Sequence, residues 1–206
     1  KPIDMTSLPT TAISPDAVLN PAVCQPYYRS LADVELDREL LVTGCGRCFR
    51  YESGATEGLR RLREFSVREL IGVGSSFGID SLRSRFLGVA VKMLQELHIE
   101  ASVITASDPF FIDTHSNQSA YQMAFELKHE VRATLPFDGS TLAIASVNHH
   151  QQHFGRAWQI REPGGDIASS CCMGFGLDRW CYTIFAQYGL NPTDWPPALR
   201  ALVEER

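Results

Sequence analysis

Long apolar runs are missing from this sequence. None approaches the length of a bilayer span, which sets aside a transmembrane anchor. A basic surplus is missing too: 19 Lys and Arg face 24 Asp and Glu, for a formal charge of −5. Neutralising the phosphates of a nucleic acid is therefore not its expected source of affinity, although Arg60, Arg61, Arg63 and Arg68 leave a local basic patch open. There is no internal repeat, no low-complexity tract, no H-E-x-x-H and no second C-x-x-C to complete a zinc-ribbon pattern. The chain starts at Lys1 without a signal-peptide pattern, so the expected location is the cytoplasm. In that compartment Cys24, Cys45, Cys48, Cys171, Cys172 and Cys181 are expected to be reduced thiols or metal ligands rather than a disulfide framework.

What is present suffices for one core. The 206 residues are 44% hydrophobic, which predicts a single globular domain over 1–206. Pro2, Pro9, Pro15, Pro21 and Pro26 exclude a long helix at the start and predict an extended or looped segment. ELLVTGCGRCFRY (39–51) reads as a strand, or a strand pair broken by glycine, and REFSVRELIGVG (63–74) as its returning partner, giving a hairpin with a long polar tip. In 81–99, Leu82, Phe86, Val89, Met93 and Leu97 recur at helical spacing behind Asp80 as the expected cap. Strands are predicted in 100–106, 124–135 and 141–147, the last two joined by the turn FDGS, and a helix over 180–188. The expected class is α+β, an antiparallel sheet flanked by helices.

Arg50 and Glu52, two apart on a strand, share a face, and Phe65 on the returning strand can approach it. A guanidinium for a polyanion, a carboxylate for an exocyclic amine and a ring for stacking together suit a nucleotide. Taken alone, the same residues also fit a surface ion pair beside a core phenylalanine.

Phe49-Arg50-Tyr51-Glu52, the loop SGATEGLRR and Arg63-Glu64-Phe65 resemble motif 2 of the class II aminoacyl-tRNA synthetases, the seryl enzymes most closely. GFGLDRW, with Gly174, Gly176 and Arg179 in order, resembles motif 3. TASDPFF (105–111), AFELKHEVRATLP (124–136) and ASVNHHQQHFGR (145–156) are similar to the strands around the amino-acid pocket, and LPTTAISP (8–15) to the loop after motif 1. Motif 1 itself would then lie upstream of Lys1. The resemblance implies ATP and Mg²⁺. Arg50 would clamp the α-phosphate and the reacting carboxylate, Glu52 read adenine, Phe65 stack on it, Arg61 assist, and Arg179 hold the γ-phosphate. Ser146, Asn148 and Glu69 would line the amino-acid site.

Archaeal-type seryl-tRNA synthetases and the related amino acid:[carrier protein] ligases bind Zn²⁺ through Cys, Glu and Cys, which match Cys24, Glu69 and Cys172 here, with Cys171 the competing choice for the last. The carrier protein ligases, truncated seryl-type cores, are the nearer resemblance. They imply activation of glycine or alanine and transfer to the phosphopantetheine thiol of an acyl or peptidyl carrier protein, a homodimer, and no tRNA or membrane partner. The alternatives are an atypical seryl-tRNA synthetase core and a non-catalytic binding module.

Two departures bear on this. Ala143-Ile144-Ala145 stands where a metal-binding glutamate is expected, and Ile13 where a substrate-sensing glutamate is expected. A cationic dock for the carrier is expected either from Arg83, Arg85 and Lys92 or from the arginines near the motif 2 loop, with ordinary solvated residues the alternative. Cys45 and Cys48 are expected as core thiols on opposite faces, and His149, His150 and His153 as surface residues or neighbours of a site rather than ligands.

Overall fold

The computed structural model describes residues 18–51, 58–106 and 126–204. Strand β1 (Leu40–Phe49) and strand β2 (Glu64–Gly74) pair antiparallel in the register Leu40↔Val73 to Phe49↔Glu64. Four further strands extend the sheet: β3 (Ala101–Thr105), β4 (Lys128–Thr134), β5 (Thr141–Gln151) and β6 (Ser169–Gly176). The order is β1-β2-β6-β5-β4-β3, and every neighbouring pair is antiparallel.

Side-chain alternation sorts the residues into two layers. On one face α2 (Ser76–Glu96), α4 (Leu177–Tyr188) and α5 (Pro197–Glu204) close a core around Ile79, Phe86, Ile144, Val147, Cys171 and Met173. On the other face α1 (Cys24–Ser30) and α3 (His153–Trp158) pack with Tyr28, Ile71, Val73, Phe154 and Cys172. Each fully buried aliphatic or aromatic side chain contributes about 1.5–3 kcal/mol before ordering costs. None of the described helices is long and apolar enough to cross a membrane.

Several sequence expectations change. β1 is one unbroken strand despite Gly44 and Gly46, because the segment ahead of α1 crosses it there: a Cβ on Gly44 would lie 2.9 Å from Val23 Cγ1, and one on Gly46 3.6 Å from Val23 Cγ2. These glycines are a seat for a crossing chain. The long helix starts at Ser76 rather than Ser81. Ser75 caps it by accepting from the Gly78 amide at 3.0 Å, while Asp80 lies inside the helix and pairs with His149 at 3.0 Å. Its inner stripe runs through Ile79, Phe86, Ala90 and Leu94, and Val89 is exposed.

A short helix, α1, forms in the proline-rich opening, with Pro26 in its first turn, where no backbone donor is needed. Cys48 is buried but Cys45 is exposed, so only the former is a core thiol. Arg83 turns inward to His129 and the Glu126 carbonyl, which takes it out of the expected cationic dock, while Lys92 stays exposed beside Glu96. Expectations that fall on Glu52, Ile13, residues 8–15 and most of residues 105–111 lie outside the described residues.

Candidate active site

The sheet face that carries α1 and α3 gathers the chemistry. On β2, Phe65, Val67, Glu69 and Ile71 alternate onto this face. On β6, Cys172, Gly174 and Gly176 do so, whereas Cys171 belongs to the opposite core. Parity along one strand thus distinguishes the two adjacent cysteines. Gly174 stands opposite Glu69, and a Cβ there would lie 3.6 Å from the Glu69 Cγ, so the missing side chain leaves room beside the carboxylate.

Cys24 opens α1, and its backbone N–H donates to Glu69 Oε2 at 2.7 Å. The two thiols of Cys24 and Cys172 and a carboxylate oxygen of Glu69 lie within 4.8 Å of one another, all three residues buried. Burial, and then the charge on Cys172, push the Glu69 carboxyl up to about 7. Cys24 is held as a thiol, its pKa far above the ordinary range, because it donates to Cys172 and is buried. Cys172 is the thiolate of the pair, lowered by that hydrogen bond from Cys24, against burial, and further by His150 and Asn148. Two sulfur donors and one oxygen at this separation suit Zn²⁺ with three protein ligands and a fourth position for substrate or water.

Asn148, directly across from Cys172 on β5, donates from Nδ2 to Cys172 Sγ at 3.4 Å and to Ser146 Oγ at 3.2 Å. Its Oδ1 is buried without a hydrogen-bond partner among the described residues. Arg50 follows β1, donates from Nε to the Pro21 carbonyl at 3.2 Å, and lies 5.0 Å over the Phe65 ring. Arg179, in the first turn of α4, donates to the Ala143 carbonyl at 2.9 Å, and Asp178 beside it accepts from the Ser66 amide at 2.6 Å, pinning the helix start to β2. Arg61 is exposed just ahead of β2, while its neighbour Arg60 bonds Asp138 in the β4–β5 turn at 3.0 Å.

The structure therefore brings Cys24, Glu69, Cys172, Ser146 and Asn148 together on one face, with Phe65 and Arg50 farther along β2 and β1 on that face. Ala143-Ile144-Ala145 offers no carboxylate: Ile144 and Ala145 enter the opposite core, and the Ala143 carbonyl receives Arg179. Sequence reasoning passed over Lys128, Glu130 and Arg132, which share the face of Asn148 and Ser146. Glu130 is buried and bridged to Lys128 at 3.1 Å and to Arg132 at 2.9 Å. Their period-two spacing was the available signal. His149 and His150, expected near the surface or beside a site, are buried, and His150 touches the Cys172 sulfur.

No family model matches the chain. It is 32% identical over 201 residues to amino acid–[acyl-carrier-protein] ligase 1 of Bradyrhizobium diazoefficiens, covering 94% of this chain and 60% of that protein. To the type-2 serine–tRNA ligase of Methanopyrus kandleri it is 28% identical over 203 residues, 93% of this chain and 38% of the relative. The chain thus spans roughly two fifths to three fifths of the length of these curated relatives. Among solved structures, M. kandleri seryl-tRNA synthetase in complex with A. aeolicus tRNASec superposes with a TM-score of 0.79 at 26% identity, over 90% of this chain and 37% of that one. The cytoplasmic serine–tRNA ligase of Naegleria fowleri with AMP superposes at 0.75 with 16% identity, over 94% and 48%, a likeness of fold. The chain is a homologue of the type-2 serine–tRNA ligases and the amino acid–[acyl-carrier-protein] ligases, and it carries the catalytic fold of the class II aminoacyl-tRNA synthetases.

Proposed function

We propose that this chain is the catalytic core of an ATP-dependent, zinc-dependent ligase that activates a small amino acid, glycine or alanine, and passes it to the phosphopantetheine thiol of a carrier protein. The observation that carries the reading is the buried Cys24, Glu69 and Cys172 cluster on the same sheet face as Phe65 and Arg50. Zn²⁺ on these ligands would supply a Lewis acid for the substrate's neutral amine, which selects for an α-amino group. Mg²⁺ would enter with ATP, and the working protein would be a homodimer.

The amino-acid carboxylate is already a nucleophile, so the chain's residues mainly position and neutralise. A carboxylate oxygen forms a bond to the α-phosphorus as the bond to the β-phosphate oxygen breaks and pyrophosphate leaves. Arg50 stabilises the charge developing at the α-phosphate, Phe65 offers its ring to adenine, with Glu52 and Arg61 on the nucleotide, and Arg179 neutralises the leaving pyrophosphate. Ser146 and Asn148 bound the side-chain space. In the second step the carrier thiolate attacks the acyl carbon and AMP departs, giving a thioester.

Carrier protein as acceptor is supported by the somewhat higher identity to the carrier protein ligase, 32% against 28%, while the net charge of −5 weighs against a nucleic-acid acceptor. The likeness to the M. kandleri enzyme favours a second reading, a seryl-tRNA synthetase core. Amino-acid-dependent ATP–pyrophosphate exchange on zinc-loaded full-length protein tests the choice. Exchange with glycine or alanine, lost in Arg50→Ala and Cys24→Ala, is expected. Exchange with serine alone selects the second reading, and no exchange from folded protein overturns both.

A further inference from the structure

His150 is the extra residue where the β5–β6 register shifts between His149 and Gln151, and such a bulge re-aims a side chain. The imidazole is buried, 8% exposed, and turned onto the face of Cys172. Two aromatic neighbours fix its plane: Tyr28 edge-on at 5.7 Å and Phe154 edge-on at 5.0 Å, themselves stacked on each other at 4.3 Å. Its two nitrogens have different tasks. Nδ1 lies 3.2 Å from Ser170 Oγ and 3.4 Å from the Tyr28 hydroxyl, while Nε2 lies 3.7 Å from Cys172 Sγ.

One assignment of protons satisfies all of these partners together. Tyr28, fully buried, donates its hydroxyl proton to the Cys171 carbonyl at 3.3 Å. Ser170 can then donate to Nδ1, which leaves the imidazole proton on Nε2, pointing at the sulfur. With Asn148 Nδ2 at 3.4 Å, the Cys172 sulfur faces two N–H donors from β5. The Cys24 amide, by contrast, is committed to Glu69.

Resting on the zinc reading above, we propose that His150, oriented by Ser170 and Tyr28, is a positioning residue: its Nε2–H holds the Cys172 sulfur in the ligating direction and sets the affinity and electronic character of the metal site. Groups that hydrogen-bond a metal ligand orient it, and their loss typically weakens metal binding by about 10–100-fold. An N–H aimed at a thiolate also draws charge from the sulfur, which changes the metal–sulfur bond without changing the ligand set.

The test uses the full chain, stripped and titrated with Zn²⁺ against a chromophoric chelator, and separately with Co²⁺ followed by its sulfur-to-metal charge-transfer absorption. His150→Phe keeps a flat ring between Tyr28 and Phe154 and removes the donor. It is expected to weaken Zn²⁺ binding about 10–100-fold and to shift the Co²⁺ band. His150→Gln, which restores an N–H donor, is expected to recover most of that affinity, and His150→Leu, likewise without a donor and expected to weaken binding as the Phe variant does, carries the test if the Phe variant fails to fold by circular dichroism. Zn²⁺ affinity within twofold of the parent, with an unchanged Co²⁺ band in a folded variant lacking the donor, overturns the inference. If the parent itself binds neither ion, the zinc reading falls, an outcome distinct from a parent that binds and a variant that binds equally.

Discussion

At the scale of single residues, a metal on Cys24, Glu69 and Cys172 would have to displace the protons that these side chains hold. Cys172 is already the thiolate, Cys24 keeps its proton, and burial followed by the Cys172 charge raises Glu69 to about 7. Above pH 7 binding should release one proton, from Cys24, and below it two, because Glu69 is then protonated as well. Each proton makes affinity about tenfold stronger per pH unit. A plot of log Zn²⁺ affinity against pH is expected to rise with a slope near two below pH 7 and near one above it, and Glu69→Gln should remove the break. A uniform slope near one in the parent would show that Glu69 is ionised throughout, and a uniform slope near two that it is protonated throughout. The metal-free protein behaves oppositely. A carboxyl whose folded pKa exceeds its unfolded value stabilises the fold at low pH, and that contribution declines as pH rises from the ordinary carboxylate range to about 7.

At the scale of elements, the hairpin, the antiparallel sheet and the helix after motif 3 were legible because period-two and period-3.6 patterns are local. The choice between Cys171 and Cys172 became legible only with the β6 register, since adjacent residues on a strand face opposite sides. The start of α2 was misread because Asp80 looks like a cap, whereas Ser75 has the bond and Asp80 faces His149. Gly44 and Gly46 suggested a break, although their purpose is nonlocal: Val23 lies against them and delivers Cys24 to the site. Gly44→Val is therefore expected to lower zinc occupancy by tenfold or more while far-UV circular dichroism stays close to the parent's, because the clash falls on the crossing segment. Gly46→Ala, with more clearance, should retain most of its zinc. Equal occupancy in all three proteins would mean that the segment carrying Cys24 is not seated by these glycines.

At the scale of the whole molecule, the site joins chain segments that nothing local connects. Cys24 lies ahead of β1, Glu69 in β2 and Cys172 in the last strand, so a metal across them ties the N-terminal helix to both sides of the β2–β6 pairing. The network of Tyr28, His150 and Ser170 was illegible in sequence for the same reason: its members meet only once the sheet has closed. A ligand that binds the folded chain and not the unfolded one adds about 2.7 kcal/mol at a hundred times its Kd. For a domain of this size, each kcal/mol is worth about 2–4 °C in Tm. Removing zinc with a chelator is thus expected to lower Tm by about 5–10 °C, by combining those two relations, and restoring Zn²⁺ should reverse the loss. Cys172→Ser should melt near the chelated parent and respond little to added Zn²⁺, while Cys171→Ser, on the opposite face, should keep the full metal-dependent shift even if its own stability is lower. Loss of the shift in Cys171→Ser and its retention in Cys172→Ser would reverse the assignment of the ligand and, with it, the face of β6 on which the chemistry takes place.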